Sequence, residues 1–108
     1  PTGEHIPFDH FFPGVRIGSF ALDHCFLPDV PSGSRACLLY NPANRTALSF
    51  FPDKTYPYLQ IYTPEDRNSL AIEKLSAAPD CFNNGLGLIV LEPYHSQTFT
   101  VRYQLGLQ

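Results

Sequence analysis

Two carboxylates set among apolar residues are the side chains of this sequence best suited to chemistry. The first, Glu73, follows the apolar run Ser69-Leu70-Ala71-Ile72 and precedes Lys74. A carboxylate at the end of a buried strand can project into a cleft, where partial burial would make it a better general base near neutral pH. The alternatives are a solvated glutamate at the end of a strand, or one paired with Lys74.

The second carboxylate, Asp23, lies in an apolar and aromatic segment, residues 20–26. An acid in such surroundings must find hydrogen-bond donors, either backbone N–H groups or the hydroxyls of a ligand. A turn-capping aspartate is the competing interpretation. The residue types alone leave both open.

Other chemistries find little support. His5, His10 and His24 form no His-x-His or His-x-x-x-His pair, so no metal site is predicted. Gly85-Leu86-Gly87 lacks the third glycine and the following helix of a phosphate-binding loop, and a turn entering a strand is the better interpretation.

The elements that must position the two carboxylates are strands. In residues 97–105, Phe99, Val101, Tyr103 and Leu105 alternate with polar residues, which predicts a strand with that apolar set facing a core. The apolar run 86–91 is predicted to pair with it as an antiparallel partner. Further strands are predicted at 16–21, 36–40, 47–51, 58–62 and 69–73, with turn-forming residues between them. No helix is predicted, and only 65–75 has weak helical propensity.

Composition bounds the fold and the partners. The 108 residues suit one domain, and 11 prolines, 7 glycines and strands every 10–12 residues indicate an all-β, antiparallel β-sandwich. Seven scattered basic residues and a net charge of −3 argue against nucleic-acid binding, and no apolar run is long enough to span a membrane. Three cysteines indicate reduced thiols in a cytoplasmic protein. Because the sequence contains no methionine, we interpret it as part of a longer polypeptide.

Several stretches occur in the order and spacing of the motifs of a known family. They are Pro1-Thr2-Gly3-Glu4, Leu22-Asp23-His24-Cys25-Phe26, Phe51-Pro52-Asp53-Lys54-Thr55-Tyr56-Pro57-Tyr58-Leu59-Gln60-Ile61-Tyr62-Thr63-Pro64, Leu70-Ala71-Ile72-Glu73, Ala78-Pro79-Asp80-Cys81-Phe82-Asn83 and Gly87-Leu88-Ile89-Val90-Leu91-Glu92-Pro93. Together they resemble the aldose 1-epimerases, or galactose mutarotases, over essentially the whole chain. The resemblance implies that residues 1–108 are the C-terminal portion of a galactose-mutarotase-like supersandwich, whose N-terminal portion is absent from this chain.

The resemblance also implies an activity, the interconversion of the α and β anomers of an aldose such as galactose or glucose without cofactor or metal. Glu73 would be the catalytic base, and Asp23 would accept hydrogen bonds from sugar hydroxyls. The family's general acid is a histidine of the N-terminal portion, and none of the four histidines here occupies its position. We therefore expect little or no activity from this chain alone, with the aldose and the missing N-terminal portion as its partners.

Three departures from the family pattern stand out. Lys74 replaces a proline after the catalytic glutamate, Cys81 replaces an alanine, and Tyr94-His95 replaces Gly-Glu in the last turn. Two alternatives to an enzyme remain open: a non-catalytic carbohydrate-binding module on the same scaffold, and a structural half that associates with the missing portion or with itself.

Overall fold

The computed structural model describes residues 4–108, so the first three residues of the motif that begins at Pro1 lie outside the described part. Within that part the chain forms six strands and one helical turn. They are β1 (Asp23–Phe26), β2 (Cys37–Asn41), β3 (Thr46–Pro52), β4 (Tyr58–Tyr62), β5 (Ala71–Leu75), α1 (Cys81–Asn84) and β6 (Val101–Leu107). The predicted all-β, sandwich-like fold is confirmed.

The strands form two antiparallel three-stranded sheets, one in the order β1-β4-β5 and the other in the order β2-β3-β6. In the first sheet Asp23 lies opposite Tyr62 and Gln60 lies opposite Glu73. In the second, Phe50 of the central strand β3 lies between Cys37 and Tyr103. These registers decide which side chains share a face, because side chains alternate along every strand.

The core lies between the two sheets. Leu22, Leu59 and Ile61 are buried together, and Cys37 of the other sheet packs against them with Phe11, Phe26, Leu70 and Ile72. Leu59 and Ile61 alternate with Tyr58, Gln60 and Tyr62, so β4 turns its apolar side inward and its polar side outward. This alternation places Asp23 of β1, Gln60 and Tyr62 of β4 and Glu73 of β5 on one common face.

Four strand predictions were accurate to within two residues at each end. The strand predicted at 58–62 is β4, and those predicted at 36–40, 47–51 and 69–73 lie within two residues of β2, β3 and β5. β1 was missed, since its four residues pair only with β4 and carry no long alternation of their own. The helical turn α1 was also missed, while the weakly helical stretch 65–75 contains a turn and β5.

The strand predicted at 16–21 is wrong. The backbone turns at Gly18, which has a positive φ of 53°, and the Arg67 guanidinium donates hydrogen bonds of 2.7 Å to the carbonyl oxygens of Gly18 and Phe20. Carbonyls held by a side chain in this way do not join a strand ladder. The segment is therefore a loop tied to the turn that follows β4.

The strand predicted at 86–91, and its pairing with 97–105, are also wrong. Gly85 and Gly87 both have positive φ, and the residues after them form no ladder with any described strand. The C-terminal strand begins later than predicted, at Val101, and pairs with β3 instead. Its apolar side chains do point to the inner face, but Tyr103 and Leu105 stay 55% and 72% exposed rather than covered by a core.

No helix in the described residues is long and apolar enough to cross a membrane.

Candidate functional site

The polar face of the sheet β1-β4-β5 carries both carboxylates that the sequence singled out. Antiparallel partners project to the same side, so Asp23 shares a face with Tyr62, and Gln60 shares it with Glu73. Asp23 and Glu73 belong to the two outer strands, while Gln60 belongs to the central one. The fold thus brings two acids 50 positions apart in sequence onto the two outer strands of one sheet face.

Gln60 connects these groups. Its Nε2 donates a 2.8 Å hydrogen bond to Oδ1 of Asp23, which supplies the donor that the carboxylate of Asp23 requires. The other amide atom, Oε1, is buried and has no hydrogen-bond partner among residues 4–108. A buried carbonyl oxygen without a donor leaves part of the hydrogen-bonding capacity of the amide unused.

An open concavity of about 650 Å³ lies over this face. Its lining consists of Asp23, Gln60, Tyr62, Glu73, Leu75 and the segment Ala77, Ala78 and Pro79 that follows β5. The volume falls within the range of small-molecule sites, and the lining combines two carboxylates, an amide and one aromatic ring. Such a surface can accept hydrogen bonds from several hydroxyls of one ligand.

Glu73 lies at the middle of β5 and not at the end of a strand. Because Tyr58 of β4 pairs with Leu75, the ladder continues two residues beyond Glu73. The expected partial burial is not observed: Glu73 is exposed, and its carboxylate makes no hydrogen bond or ion pair with a described residue. The side chain is consequently available to a ligand in the concavity.

Lys74 does not pair with Glu73, which was one of the alternatives from the sequence. Adjacent residues of a strand project to opposite faces, so Lys74 points into the space between the sheets. Its Nζ is buried without a hydrogen-bond partner in the described part of the chain and lies 5.6 Å from the centre of the Phe50 ring. Burial lowers the pKa of the Lys74 amine, and Cys37 raises it to a smaller extent.

The cysteine nearest to Lys74 responds to the same environment. Burial raises the pKa of the Cys37 thiol, and the nearby charge of Lys74 lowers it by less. Cys25, Cys37 and Cys81 are all unpaired, as the odd count indicated.

No histidine lines the concavity. His24 follows Asp23 and projects to the opposite face of β1, where its ring lies 6.3 Å from Phe26. His10 packs edge-on against Phe20 at 4.8 Å, within the aromatic N-terminal segment. Among residues 4–108 there is also no group of three or more potential metal ligands close enough to hold an ion.

Comparisons with known proteins add no relative. No family model, no curated protein and no solved structure matches this chain.

Gln60 is the residue that the sequence analysis did not select. It stood inside the quoted motif that contains β4, and the alternation there placed Gln60 on the polar side of a strand whose other side is buried. A glutamine between two tyrosines on such a face was the available signal. What the sequence did not provide was the register that sets Gln60 beside both Asp23 and Glu73.

Proposed function

We propose that this chain is the base-supplying part of an aldose 1-epimerase, with Glu73 as the base and Asp23 as a ligand of the sugar hydroxyls. The single observation that carries the proposal is the common concavity of about 650 Å³ shared by Asp23, Gln60 and Glu73. Its size suits a monosaccharide, and its three polar side chains lie on adjacent strands.

In the proposed reaction the Glu73 carboxylate removes the proton from the anomeric C1 hydroxyl of the sugar. An acid protonates the ring oxygen, the C1–O5 bond breaks, rotation about C1–C2 follows, and reclosure gives the other anomer. Proton transfer by a positioned base typically contributes 10²- to 10⁴-fold to a rate. An exposed carboxylate with no protein partner is free to approach a hydroxyl, which supports this role for Glu73.

Asp23 and Gln60 would orient the sugar. The Asp23 carboxylate keeps one oxygen, Oδ2, that receives no hydrogen bond from the described residues, and Gln60 holds the other oxygen in place. Hydrogen bonds from hydroxyls to charged acceptors are stronger than those to neutral ones. The acid is assigned to the N-terminal portion of the same fold, and the three free cysteines suit the reducing cytoplasm.

Binding is tested first, by following the amide NMR signals of the 108-residue chain during titration with galactose. We expect shifts at Asp23, Gln60, Tyr62 and Glu73, and at least tenfold weaker binding in Asp23→Asn. Asp66→Asn is the control, because Asp66 is exposed in a turn and is not part of the lining. Shifts confined to another part of the chain would refute the sugar site.

Catalysis is tested by polarimetry on freshly dissolved α-glucose. The chain alone should add little to the spontaneous rate. In a longer protein that includes the N-terminal portion, Glu73→Gln should lower the rate about 10²- to 10⁴-fold with a modest loss of binding. A wild-type rate in that variant removes Glu73 from the mechanism.

The second candidate is a carbohydrate-binding module that does not turn over its sugar. It is favoured by the composition of the lining, which contains two carboxylates, an amide and Tyr62 but no histidine to serve as acid. This function would be identified by galactose binding in the NMR titration together with a longer protein that does not raise the polarimetric rate above the spontaneous one.

A further inference from the structure

The outer edge of β6 has unused backbone groups. β6 is the last strand in the order β2-β3-β6, and no described strand pairs with its other side. At the two ends of the β3–β6 register, the N–H of Asp53 donates to the carbonyl of Thr100 at 3.1 Å and the N–H of Gln108 donates to that of Arg45 at 2.9 Å. In both bonds the two residues lie directly opposite each other, so Thr100 and Gln108 point their backbone groups toward β3. Because this direction alternates along an antiparallel strand, the other even-numbered residues of β6 also point theirs toward β3.

The odd-numbered residues of β6 must then point their backbone groups outward, since these directions alternate along an antiparallel strand. They are Val101, Tyr103, Leu105 and Leu107. None of their N–H or carbonyl groups takes part in a backbone hydrogen bond outside the β3–β6 ladder in the described chain. The edge thus presents four donors and four acceptors in a row.

The side chains of the same four residues are apolar and lie on the inner face of the sheet. Tyr103 lies opposite the buried Phe50, with the ring centres 5.2 Å apart, yet Leu105 and Leu107 are 72% and 76% exposed. Edge strands of monomers usually carry a lysine, a proline or a bulge that prevents further pairing. β6 has none of these, and its one charged residue, Arg102, stacks on Phe51 at 3.8 Å from the opposite face.

The surface area of the chain is also large for a monomer. The accessible surface is 8105 Å², whereas a folded monomer of this mass exposes about 6,000 Å². The radius of gyration is 15.3 Å, against about 13 Å for a compact domain of this length. β6 contributes to this surface through Tyr103, Leu105 and Leu107.

We propose that β6 pairs with β6 of a second copy of this chain, antiparallel, about a two-fold axis at Gln104. In that register Tyr103 lies opposite Leu105 of the second copy, and Val101 lies opposite Leu107. All four outward residues then exchange both backbone hydrogen bonds, eight in total, and the two sheets become one of six strands.

The sequence of β6 is self-complementary in this register. Arg102 lies opposite Gly106 of the second copy, so no like charges meet, and the apolar side chains form one continuous row on the inner face. Moving the axis by one residue leaves an outward residue at one end of each strand unpaired. The two-fold at Gln104 is therefore the register that satisfies every outward backbone group of β6.

Gln104 provides the test, because it would face Gln104 of the second copy in a non-hydrogen-bonded pair, where side chains are closest. The side chain of Gln104 is exposed and makes its one side-chain hydrogen bond by accepting from Arg102 at 3.1 Å, so charged substitutions leave the single chain intact. Gln104→Lys and Gln104→Glu should each dimerise at least tenfold more weakly than the wild type, because like charges oppose each other. An equimolar mixture of the two should recover dimers.

The measurement is light scattering coupled to size-exclusion chromatography, at protein concentrations of about 10 to 500 µM. We expect the wild type at twice its mass of 12.1 kDa. Gln97→Lys and Gln97→Glu are the matched controls, since Gln97 is exposed and outside the strand. A wild type that stays at 12.1 kDa, charged variants that dimerise like the wild type, or a mixture that stays monomeric would each overturn the proposal.

Hydrogen exchange gives a second readout with residue resolution. The amides of Tyr103 and Leu105 should gain protection as the concentration rises, whereas those of Arg102 and Gln104, already bonded to β3, should be protected throughout. Dimers in which the amides of Tyr103 and Leu105 stay unprotected would place the interface elsewhere and contradict the proposal.

Discussion

Nε2 of Gln60 donates a 2.8 Å hydrogen bond to Oδ1 of Asp23, and this bond joins the central strand β4 to the outer strand β1. On its other side Gln60 lies opposite Glu73. Nε2 is occupied by Asp23, and Oε1 is buried without a donor in the described chain. Gln60 therefore orients one carboxylate of the candidate site.

Replacing Gln60 by methionine should affect sugar binding more than stability. The side chain keeps its length, the partly exposed hydrogen bond to Asp23 is lost, and the free energy of unfolding should fall by no more than about 1 kcal/mol. Galactose binding should weaken roughly tenfold, which corresponds to the loss of one good hydrogen bond. Urea denaturation and NMR titration measure the two effects.

The control for that variant is Gln97→Met, which changes an exposed glutamine outside both sheets. This control should alter neither the free energy of unfolding nor the binding of galactose. Unchanged galactose binding in Gln60→Met would show that Gln60 does not act on the ligand.

Replacing Lys74 by methionine should stabilise the protein. The variant keeps the packing against Phe50 and removes a buried ammonium group that has no hydrogen-bond partner in the described chain. We expect a gain of about 1 kcal/mol at pH 7, at the low end of the cost of burying an unpaired polar group because the side chain is only partly buried. Lys54→Met changes an exposed lysine and should give no gain.

The advantage of Lys74→Met should shrink as the pH rises. Burial holds the pKa of Lys74 below 10.5 in the folded state, so between the two pKa values the unfolded chain binds more protons than the folded chain. Wild-type stability therefore rises relative to the variant as the pH approaches 10.5. Urea denaturation at pH 7 and pH 9.5 measures this difference, and a constant gap would mean that the amine is not desolvated.

Gly87→Ala should destabilise the protein more than Gly85→Ala. Both glycines have positive φ, 72° and 73°, so both substitutions meet the same backbone strain of about 1 kcal/mol. A Cβ at Gly87 would also lie 2.8 Å from Cε2 of Tyr58, whereas nothing lies within 4 Å of one at Gly85. The extra loss should be about 1–3 kcal/mol, and equal losses in thermal denaturation would show that the contact with Tyr58 gives way.

Replacing Thr55 by valine should make the loss of stability at acidic pH less steep. The hydroxyl and the backbone N–H of Thr55 both donate to Oδ1 of Asp53, and these bonds hold the pKa of Asp53 below 3.8. The contribution of such a group is present above pH 3.8 and is lost as the pH falls through the folded-state value. Melting temperatures from pH 5 to pH 2.5 should fall less steeply in Thr55→Val.

Thr55→Ser is the matched control, because it keeps the hydroxyl. It should retain the wild-type slope below pH 3.8. A wild-type slope in Thr55→Val as well would mean that the backbone N–H alone accounts for the shift in the pKa of Asp53.

The strand at 58–62 was predictable from its alternation, and the side to which each of its residues projects followed from the same pattern. Alternation was not sufficient at 97–105, where the strand begins only at Val101. Alternation alone also separates Lys74 from Glu73, since neighbours in a strand face opposite ways. Pairing was not predictable, because β6 finds β3 across about half the chain, and nothing local distinguishes that partner from residues 86–91.

The candidate site was likewise predictable only in part. Asp23 and Glu73 were selected from residue type and from the resemblance to the aldose 1-epimerases, and the fold places them on one face. The position of Gln60 between them depends on two registers that no short motif encodes. The function assigned to this face stays a prediction until the titration and the polarimetry are done.

The connection of β6 to β3 has a consequence for the order in which the chain folds. β2 and β3 are joined by a tight turn, whereas Arg45 and Gln108, which close the far end of the β3–β6 ladder, are 63 positions apart. Closing so long a loop costs more entropy than forming a hairpin, so local pairs assemble first. We therefore expect the β3–β6 pairing to form after the β2–β3 hairpin, so that one edge of β3 stays unpaired until the C-terminal strand reaches it.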